Sequence, residues 1–285
     1  MAIYSRLVGG LGNQLFQFAN GFAQAQRLGV EHILDIRELT GIKSAHDIYS
    51  LDQFSITSKI GDPNLLPPAR SENQLRYFLW RGFGKNPMHF REIGLGYNSI
   101  VSQHPDNIYY HGYFQSEKYF LNHAIALRKQ LKFKYKPSPE NQNWLTKIQS
   151  TKSVGLHIRR GDFVKIGVDV VCNAQYYSRA IDLMSQKIGT KFDVYVFSND
   201  PEWVKTNVDL GKKTYVVASN GPLEPVEDLR LFSACQHQIT ANSTFSWWGA
   251  WLNSSKEKVV ITPTVWYPDN KFPELDIVPS SWLTV

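Results

Sequence analysis

The stretch SVGLHIRRGDF, residues 153–163, joins an uncharged run to a turn that carries two arginines. A short apolar run of this kind is typical of a buried strand. An arginine side chain is costly to bury without a partner of opposite charge. Two arginines at the end of such a strand therefore predict a bound anion beside them. The sequence predicts an anion site at Arg159 and Arg160. The alternative is an arginine tied to carboxylates across a domain interface.

Downstream of this strand, short apolar runs alternate with helical patterns, which indicates βαβ units on a parallel sheet. The predicted strands are 153–158, 193–200, 213–218, 237–241 and 258–262, with helices over 173–188, 201–208, 226–236 and 242–253 between them. Ligands of such folds bind outside the carboxyl ends of the strands, where the arginine pair lies.

Upstream, the chain starts in the same way, with a strand over 3–8, a glycine-rich turn, a helix that ends at Gly29, and a strand over 31–36. A further helix is predicted over 116–131, and the prolines of KYKPSPE (134–140) suggest an interdomain linker. The fold class is therefore α/β with two Rossmann-like domains, 1–140 and 141–285.

The charge of the 285-residue chain is uneven. Residues 1–150 hold 17 Lys/Arg and 11 Asp/Glu, a difference of +6, whereas residues 151–285 hold 14 of each. Basic residues interleaved with aromatics favour peripheral contact with an anionic membrane surface, the alternative being a solvated face plus a linker. We expect no nucleic-acid partner, because no module for one is recognisable. Two cysteines, no spanning apolar run and no leader pattern predict a cytoplasmic protein.

A second candidate anion site is ITANSTFSWWGAWLN, residues 239–253. Here Asn242, Ser243 and Thr244 join a strand to a helix, and the N–H groups of a helix N-terminus attract anions. The same residue types are also common helix caps that bind no ligand. The spacing of the three tryptophans that follow assigns part of the trio to core packing.

The turn GGLGNQ, residues 9–14, falls one glycine short of the dinucleotide fingerprint. Asp35 ends the second strand where a ribose-binding acid would lie, so a dinucleotide-dependent oxidoreductase is one alternative. A non-catalytic glycan-binding module is another, and it would explain the aromatic content but not two anion sites.

Further polar groups lie at a strand end and a helix start: Asn199, Asp200, Glu227 and Asp228. A carboxylate there can accept both N–H groups of guanine, although helix capping is the better interpretation of Asp200. The chain has no D-x-D motif and no Cys/His group with ligand spacing, so we expect no metal.

Five segments resemble the bacterial α-1,2-fucosyltransferases of glycosyltransferase family 11, in the family's order and over nearly the whole chain. They are GGLGNQLFQFA (9–19), HGYFQSEKYF (111–120), HIRRGDF (157–163), VFSNDPEWVK (196–205) and ANSTFSWWGAWLN (241–253). The resemblance implies a GT-B fold with a central cleft, GDP-fucose as donor, no cofactor or metal, and inversion at the fucose carbon.

The resemblance also implies roles for individual residues. Arg159 would contact the β-phosphate, and Asp162 is the candidate base, unless it orients an arginine. The other predicted donor contacts are Asn13, Gln14, His157, Arg160, Asn199, Asp228, Ser243 and Thr244. The predicted acceptor contacts are His111, Tyr113 and Gln115. The acceptor would be a terminal β-galactose in O-antigen or another surface polysaccharide, carried on a lipid and met at the inner membrane.

Overall fold

The computed structural model of the protein describes residues 1–39, 48–69, 72–82, 85–161, 167–221, 223–268, 271–272 and 274–285. The chain divides into two compact units. Unit 1 comprises Met1–Tyr135 and Glu274–Ile277, and unit 2 comprises Lys136–Pro273 and Val278–Val285. Each unit is built on one sheet whose described strand pairs are all parallel.

Unit 1 carries a five-stranded sheet in the order β3-β2-β1-β5-β4. Its elements are β1 (Ala2–Arg6), α1 (Leu11–Leu28), β2 (Glu31–Asp35), β3 (Lys59–Ile60), α2 (Gln74–Arg81), β4 (His89–Arg91), β5 (Tyr109–His111) and α3 (Ala124–Gln130). The chain winds outward from β1 to β3 and returns on the other side of β1. The order therefore reverses between β1 and β5, and this gap is the topological switch point of unit 1.

Unit 2 carries a six-stranded sheet in the order β11-β10-β9-β6-β7-β8. Its elements are α4 (Pro139–Gln149), β6 (Ser153–Ile158), α5 (Ala174–Ile188), β7 (Asp193–Ser198), α6 (Pro201–Asn207), β8 (Thr214–Val217), α7 (Pro225–Ala234), β9 (His237–Ile239), α8 (Thr244–Leu252), β10 (Val260–Thr262) and β11 (Leu283–Thr284). This is the doubly wound order of the Rossmann fold, with its switch point between β6 and β9.

The phenyl ring of Phe232 on α7 fixes how β6, α7 and α8 pack together. A Cβ on Gly155 of β6 would lie 3.0 Å from this ring, and a Cβ on Gly249 of α8 would lie 2.3 Å from it. Both glycines are therefore needed for α7 to approach the strand and its neighbouring helix closely. Asp228 lies one helical turn before Phe232, so the same contact places it near the carboxyl ends of the strands.

The three tryptophans of α8 are all core residues. Trp247 and Trp248 are fully buried and Trp251 is 4% exposed. The Trp247 ring lies parallel to Trp251 and also contacts Trp282, with centroids 5.4 Å apart. The prediction that part of this trio packs in the core is confirmed, and the structure extends it to all three tryptophans.

Two predictions of local structure were wrong in extent. The segment predicted as one helix over 116–131 forms two 3₁₀ turns, Glu117–Tyr119 and Leu121–His123, before α3 begins. Phe120 interrupts the helix because its backbone (φ −134°, ψ 3°) places the ring in the core. The predicted linker KYKPSPE contains the start of α4, where the Ser138 hydroxyl caps the helix at Asn141.

Candidate active site

The switch point of unit 2 brings the arginine motif and the Asn-Ser-Thr turn to the same edge of one sheet. Leu156 of β6 is in register with Ile239 of β9, so Arg159 and Asn242, each three residues further along the chain, lie at the same level. Neighbouring strands lie about 4.8 Å apart. The turns that begin at Arg159 and at Asn242 therefore start side by side, as the sequence predicted.

Arg160 is fixed by groups that follow β7. Its guanidinium lies 3.7 Å from the centroid of the Trp203 ring, and its Nε donates to Asp200 at 3.4 Å. The backbone N–H of Arg160 donates to the Asn199 side chain at 2.8 Å. Gly161 has φ +54°, and a Cβ there would lie 2.5 Å from the Asn199 amide nitrogen. Arg160 is therefore tied to a carboxylate, but within unit 2 and not across a domain interface, and the Asn199 side chain holds the turn in place.

Arg159 follows the buried His157 at the end of β6. Burial and the positive charge of Arg159 lower the pKa of His157 to about 3, so the ring is neutral at physiological pH. The ring packs against Phe245 and Phe232, with centroids 5.2 and 6.3 Å away. The His157 carbonyl accepts a hydrogen bond from the Tyr177 hydroxyl at 3.0 Å. His157 therefore joins β6 to α5, α7 and α8 at the base of the turn.

The N-terminus of α8 has the properties of an anion site. Ser243 is its N-cap residue, but the hydroxyl makes no capping hydrogen bond. Asn242 anchors the preceding turn by donating to the carbonyls of Val168 and Trp266, at 3.2 and 3.0 Å. The positive end of the helix dipole is therefore held in place without a side-chain cap. This geometry speaks against the simple interpretation of Ser243 as a cap.

Asp228 lies in the first turn of α7. Burial, reinforced by Glu224 and Glu227, raises its pKa to about 6, and the Asn220 amide donates to its Oδ1 at 2.7 Å. Glu227 instead forms an ion pair with Arg230 at 3.0 Å. Of the two acids at the start of α7, Asp228 is the one whose charge is poorly compensated by the protein, which is the state expected of a ligand-binding carboxylate.

Asp200 is the N-cap residue of α6 and accepts a hydrogen bond from the Trp203 N–H at 3.2 Å. Capping was the better interpretation from the sequence, and it is confirmed.

A cavity of about 490 Å³ lies beside Arg159 and Arg160 and is bordered by α5 and α6, with Tyr177 and Trp203 in its lining. Its volume is in the range of small-molecule sites.

The switch point of unit 1 joins the glycine-rich turn to the segment after β5. The Gln115 amide donates to the Asn13 side chain at 3.0 Å. Gly9, with φ +76°, leaves room for that side chain, since a Cβ there would lie 2.9 Å from the Asn13 amide nitrogen. Two predicted site residues separated by about a hundred positions thus touch.

His111 ends β5 and lies in a chain of hydrogen bonds. Arg6 can only donate, so its 3.3 Å contact makes His111 Nε2 the acceptor. The Nδ1–H of His111 then donates to the Tyr77 hydroxyl at 3.2 Å, and Tyr77 lies 3.5 Å from His89 Nε2. Burial, with the charge of Arg6, lowers the pKa of His111 to about 3 and keeps it neutral.

Gln14 has a structural role that the sequence did not reveal. Its side chain is fully buried, donates to the carbonyls of Gly9 and Ile48, and accepts from the Ser50 N–H. The amide is used to hold a distant loop, so the geometry gives no support to its predicted contact with the donor. Tyr113, in contrast, is 39% exposed, on a turn whose N–H groups donate to Glu92.

Asp35 does not have the environment of a ribose-binding acid. Its carboxylate accepts two hydrogen bonds from the Arg37 guanidinium, at 2.9 and 2.7 Å, and one from the Tyr109 hydroxyl at 2.7 Å. These partners hold the pKa of Asp35 below its usual value despite burial. The alternative function, a dinucleotide-dependent oxidoreductase, therefore lacks the acid that would bind the ribose of its cofactor.

Asp162, the predicted base, lies outside the described residues. Within the described ranges, no three His, Cys, Asp or Glu side chains are grouped so as to hold a metal ion. Over the same ranges, no helix is both long and apolar enough to span a bilayer.

Sequence reasoning missed Arg6, Tyr77, Trp203 and Asn220. Arg6 carried a usable signal, since it ends β1 as Arg159 follows β6. Trp203 lies in the segment 196–205, which carries part of the family resemblance, but nothing in the sequence indicates that its ring stacks on Arg160. Tyr77 and Asn220 could not be identified, because their partners are set by the tertiary fold.

Comparison with known proteins identifies the family. The profile of glycosyl transferase family 11 matches residues 5–285, so the chain belongs to that family. An alpha-1,2-colitosyltransferase of Escherichia coli is 30% identical over 99% of this chain and 98% of its own length. The O-antigen biosynthesis glycosyltransferase WbnK of Escherichia coli is 28% identical over 99% of this chain and 100% of its own length.

A solved structure of POFUT1 in complex with GDP-fucose matches with a TM-score of 0.52 and 11% identity, covering 91% of this chain and 98% of that one. A structural match at this low sequence identity shows that the two chains share a fold. The expected GT-B class, with α/β units on parallel sheets, is confirmed.

Proposed function

We propose that this family member is an inverting, metal-independent α-1,2-fucosyltransferase that moves fucose from GDP-fucose to the 2-hydroxyl of a terminal β-galactose. The observation that carries the proposal is the α8 N-terminus without a side-chain cap, beside Arg159 at one switch point. A helix N-terminus and a strand-end arginine together match a diphosphate, because each supplies donors and positive charge. The POFUT1 complex with GDP-fucose, which has the same fold, supports this donor.

In the proposed reaction, the acceptor oxygen attacks the anomeric carbon of fucose from the face opposite GDP. The bond from that carbon to the β-phosphate oxygen breaks, and its electron pair stays on GDP. Arg159 stabilises the charge that grows on the β-phosphate, and Ser243 and Thr244 donate to it from the helix end. Asp228 accepts the N–H groups of guanine near the His157 backbone. Arg160 and Asn199 shape the turn that holds Arg159.

The reaction also requires a group that accepts the proton of the acceptor hydroxyl. Asp162, next to Gly161 in sequence, is the proposed base. The alternative is that Asp162 orients an arginine and the leaving phosphate takes the proton.

The acceptor is proposed to bind at the switch point of unit 1. Asn13 and Gln115 form a paired amide surface there, with His111 and the exposed Tyr113 on the neighbouring strand end. Amides, a neutral imidazole and an aromatic ring are groups that recognise sugar hydroxyls and faces. The galactoside would be carried on a lipid in O-antigen or other surface polysaccharide synthesis, with the enzyme at the cytoplasmic face of the membrane.

Colitosyl transfer is the second candidate, since the colitosyltransferase is 30% identical over almost the whole chain. Colitose lacks the 3-hydroxyl of fucose. A site that hydrogen-bonds that hydroxyl would discriminate strongly between the two donors, and a site that packs against the carbon would not.

Isothermal titration with GDP in EDTA tests the donor site. We expect the wild type to bind and Arg159→Ala to lose binding, whereas Arg179→Ala, which removes an exposed arginine of α5, binds as the wild type does. Equal binding by Arg159→Ala would contradict the assignment. Transfer to lactose from GDP-fucose and from GDP-colitose then distinguishes the two donors, and the linkage of the product is read by NMR.

A further inference from the structure

Helix α2 of unit 1 presents large apolar side chains to solvent. Leu75, Phe78 and Leu79 are 71%, 48% and 70% exposed. At 100° per residue they fall within an arc of about 100°. Tyr77, the one buried residue of the helix, lies on the opposite side. Single exposed apolar residues are ordinary, but three adjacent ones on the outer face of a short helix mark an interaction surface.

Basic side chains flank this arc. Arg76 and Arg81 lie on its two sides, and the exposed Lys85 follows the helix. No ion pair joins these three residues to a carboxylate in the described parts of unit 1. Glu72, the acid just before the helix, pairs with Arg37 instead, at 2.8 Å. The surface is therefore apolar at its centre and cationic at its edges.

We propose that α2 docks on an anionic lipid bilayer, with Leu75, Phe78 and Leu79 inserted between headgroups and Arg76, Arg81 and Lys85 on the phosphates. A bilayer fits this surface better than a protein does. Three side chains offer far less than the roughly 800 Å² per partner of a stable protein interface, whereas a lipid surface requires no matching partner. The cationic rim complements the negative surface potential of anionic lipids.

The inner face of the same helix supports the proposed acceptor site. Trp80 packs edge-on against His89 and Tyr109, with centroids 5.1 and 5.7 Å away. The Tyr77 hydroxyl contacts His111 at 3.2 Å. Docking would thus place the β5 end directly beneath the headgroups, where a lipid-linked galactoside would lie. This consequence for the acceptor rests on the proposed function, and the docking itself does not.

Vesicle sedimentation of the full chain tests the proposal. We expect binding to phosphatidylcholine vesicles that contain about one third phosphatidylglycerol, and weak binding to phosphatidylcholine alone. The triple variant Leu75→Ser, Phe78→Ser, Leu79→Ser should lower the apparent affinity at least about tenfold. The matched control is Ile93→Ser, Ile100→Ser, Ile125→Ser, which alters exposed apolar residues elsewhere in unit 1 and should leave binding unchanged.

A charge-matched pair of variants separates docking through α2 from diffuse attraction. Arg76→Glu with Arg81→Glu should release the protein, and Lys132→Glu with Lys134→Glu should release it far less. Equal release by both pairs, or full binding by the triple serine variant, would overturn the proposal. So would a dimer in light scattering that the triple serine variant dissociates, because a second copy would then cover the helix. Fucose transfer to soluble lactose by the triple serine variant should be unaffected, so failure of docking and failure of the proposed activity are distinguishable.

Discussion

In unit 2, the strands beside the switch point lead into Arg159 and a helix end with no side-chain cap. In unit 1, the equivalent strands end in Arg6 and His111, which hydrogen-bond to each other. The same topology therefore produces two different surfaces. In unit 2 an arginine lies beside the N-terminus of a helix, the positive end of its dipole, whereas in unit 1 Arg6 is bound to His111 and forms an ion pair with Glu38 at 3.3 Å. On this difference rests our proposal that the diphosphate binds to unit 2 and the neutral acceptor sugar to unit 1.

The sharpest way to break this comparison is to make the same substitution in both units. Arg159→Lys keeps the charge but loses the planar fork that binds phosphate oxygens, so we expect turnover to fall about 10²- to 10³-fold. Arg6→Lys should leave GDP affinity unchanged and raise the KM for the acceptor severalfold, by disturbing His111. Steady-state kinetics with donor and acceptor varied separately measure both effects. Loss of GDP affinity in Arg6→Lys would remove the distinction between the two units.

Asp228→Asn should weaken GDP binding by about 10- to 100-fold, because the carboxylate that we propose accepts from guanine is replaced by an amide. The same variant should be more stable than the wild type at pH 8. The folded-state pKa of Asp228 is raised to about 6 from 3.8, so ionisation disfavours the folded state, and wild-type stability declines as pH rises through 6. Titration calorimetry and melting temperatures at pH 5 and pH 8 test the two effects together.

For the same reason, GDP affinity of the wild type should decline as pH falls below about 6, where Asp228 becomes protonated. His157 should not contribute to this decline, since burial holds its pKa near 3. A pH profile that persists unchanged in Asp228→Asn would show that another group is responsible.

The sequence predicted the fold from local periodicity and located much of the candidate site from a single rule about strand ends. Arg159 and the turn at Asn242–Thr244 follow from that rule, whereas Asp228 lies in the first turn of α7 and was predicted from the family resemblance. The contacts of unit 1 could not be predicted in the same way. Arg6 meets His111 across 105 positions, and Gln14 is used by a loop 36 residues away at Ser50. Local sequence patterns do not predict contacts between residues that lie so far apart in the chain.

Gln14 and Asn13 are adjacent in sequence, and their variants should separate structure from binding within unit 1. Gln14→Ala removes the side-chain partner of the buried Ser50 N–H and of the Gly9 carbonyl, whereas the Ile48 carbonyl still accepts from the Ser50 hydroxyl, so we expect a stability loss of about 1–3 kcal/mol in urea unfolding. Asn13→Ala should cost little stability and raise the acceptor KM about three- to tenfold. Reversal of the two outcomes would return Gln14 to the binding surface and make Asn13 the structural residue.

The smallest expected effect concerns Ser243. Its hydroxyl makes no capping bond, so Ser243→Ala should leave the melting temperature of the apo protein unchanged. Ser138→Ala is the matched control in unit 2, because that hydroxyl does accept from Asn141 at 3.2 Å, and its loss should cost about 1 kcal/mol. With GDP the order reverses. Ser243→Ala should weaken binding about three- to tenfold through one lost bond to phosphate, and Ser138→Ala should not weaken it. A melting temperature that falls equally in both variants would mean that Ser243 is a cap after all, and the anion site at α8 would lose its main support.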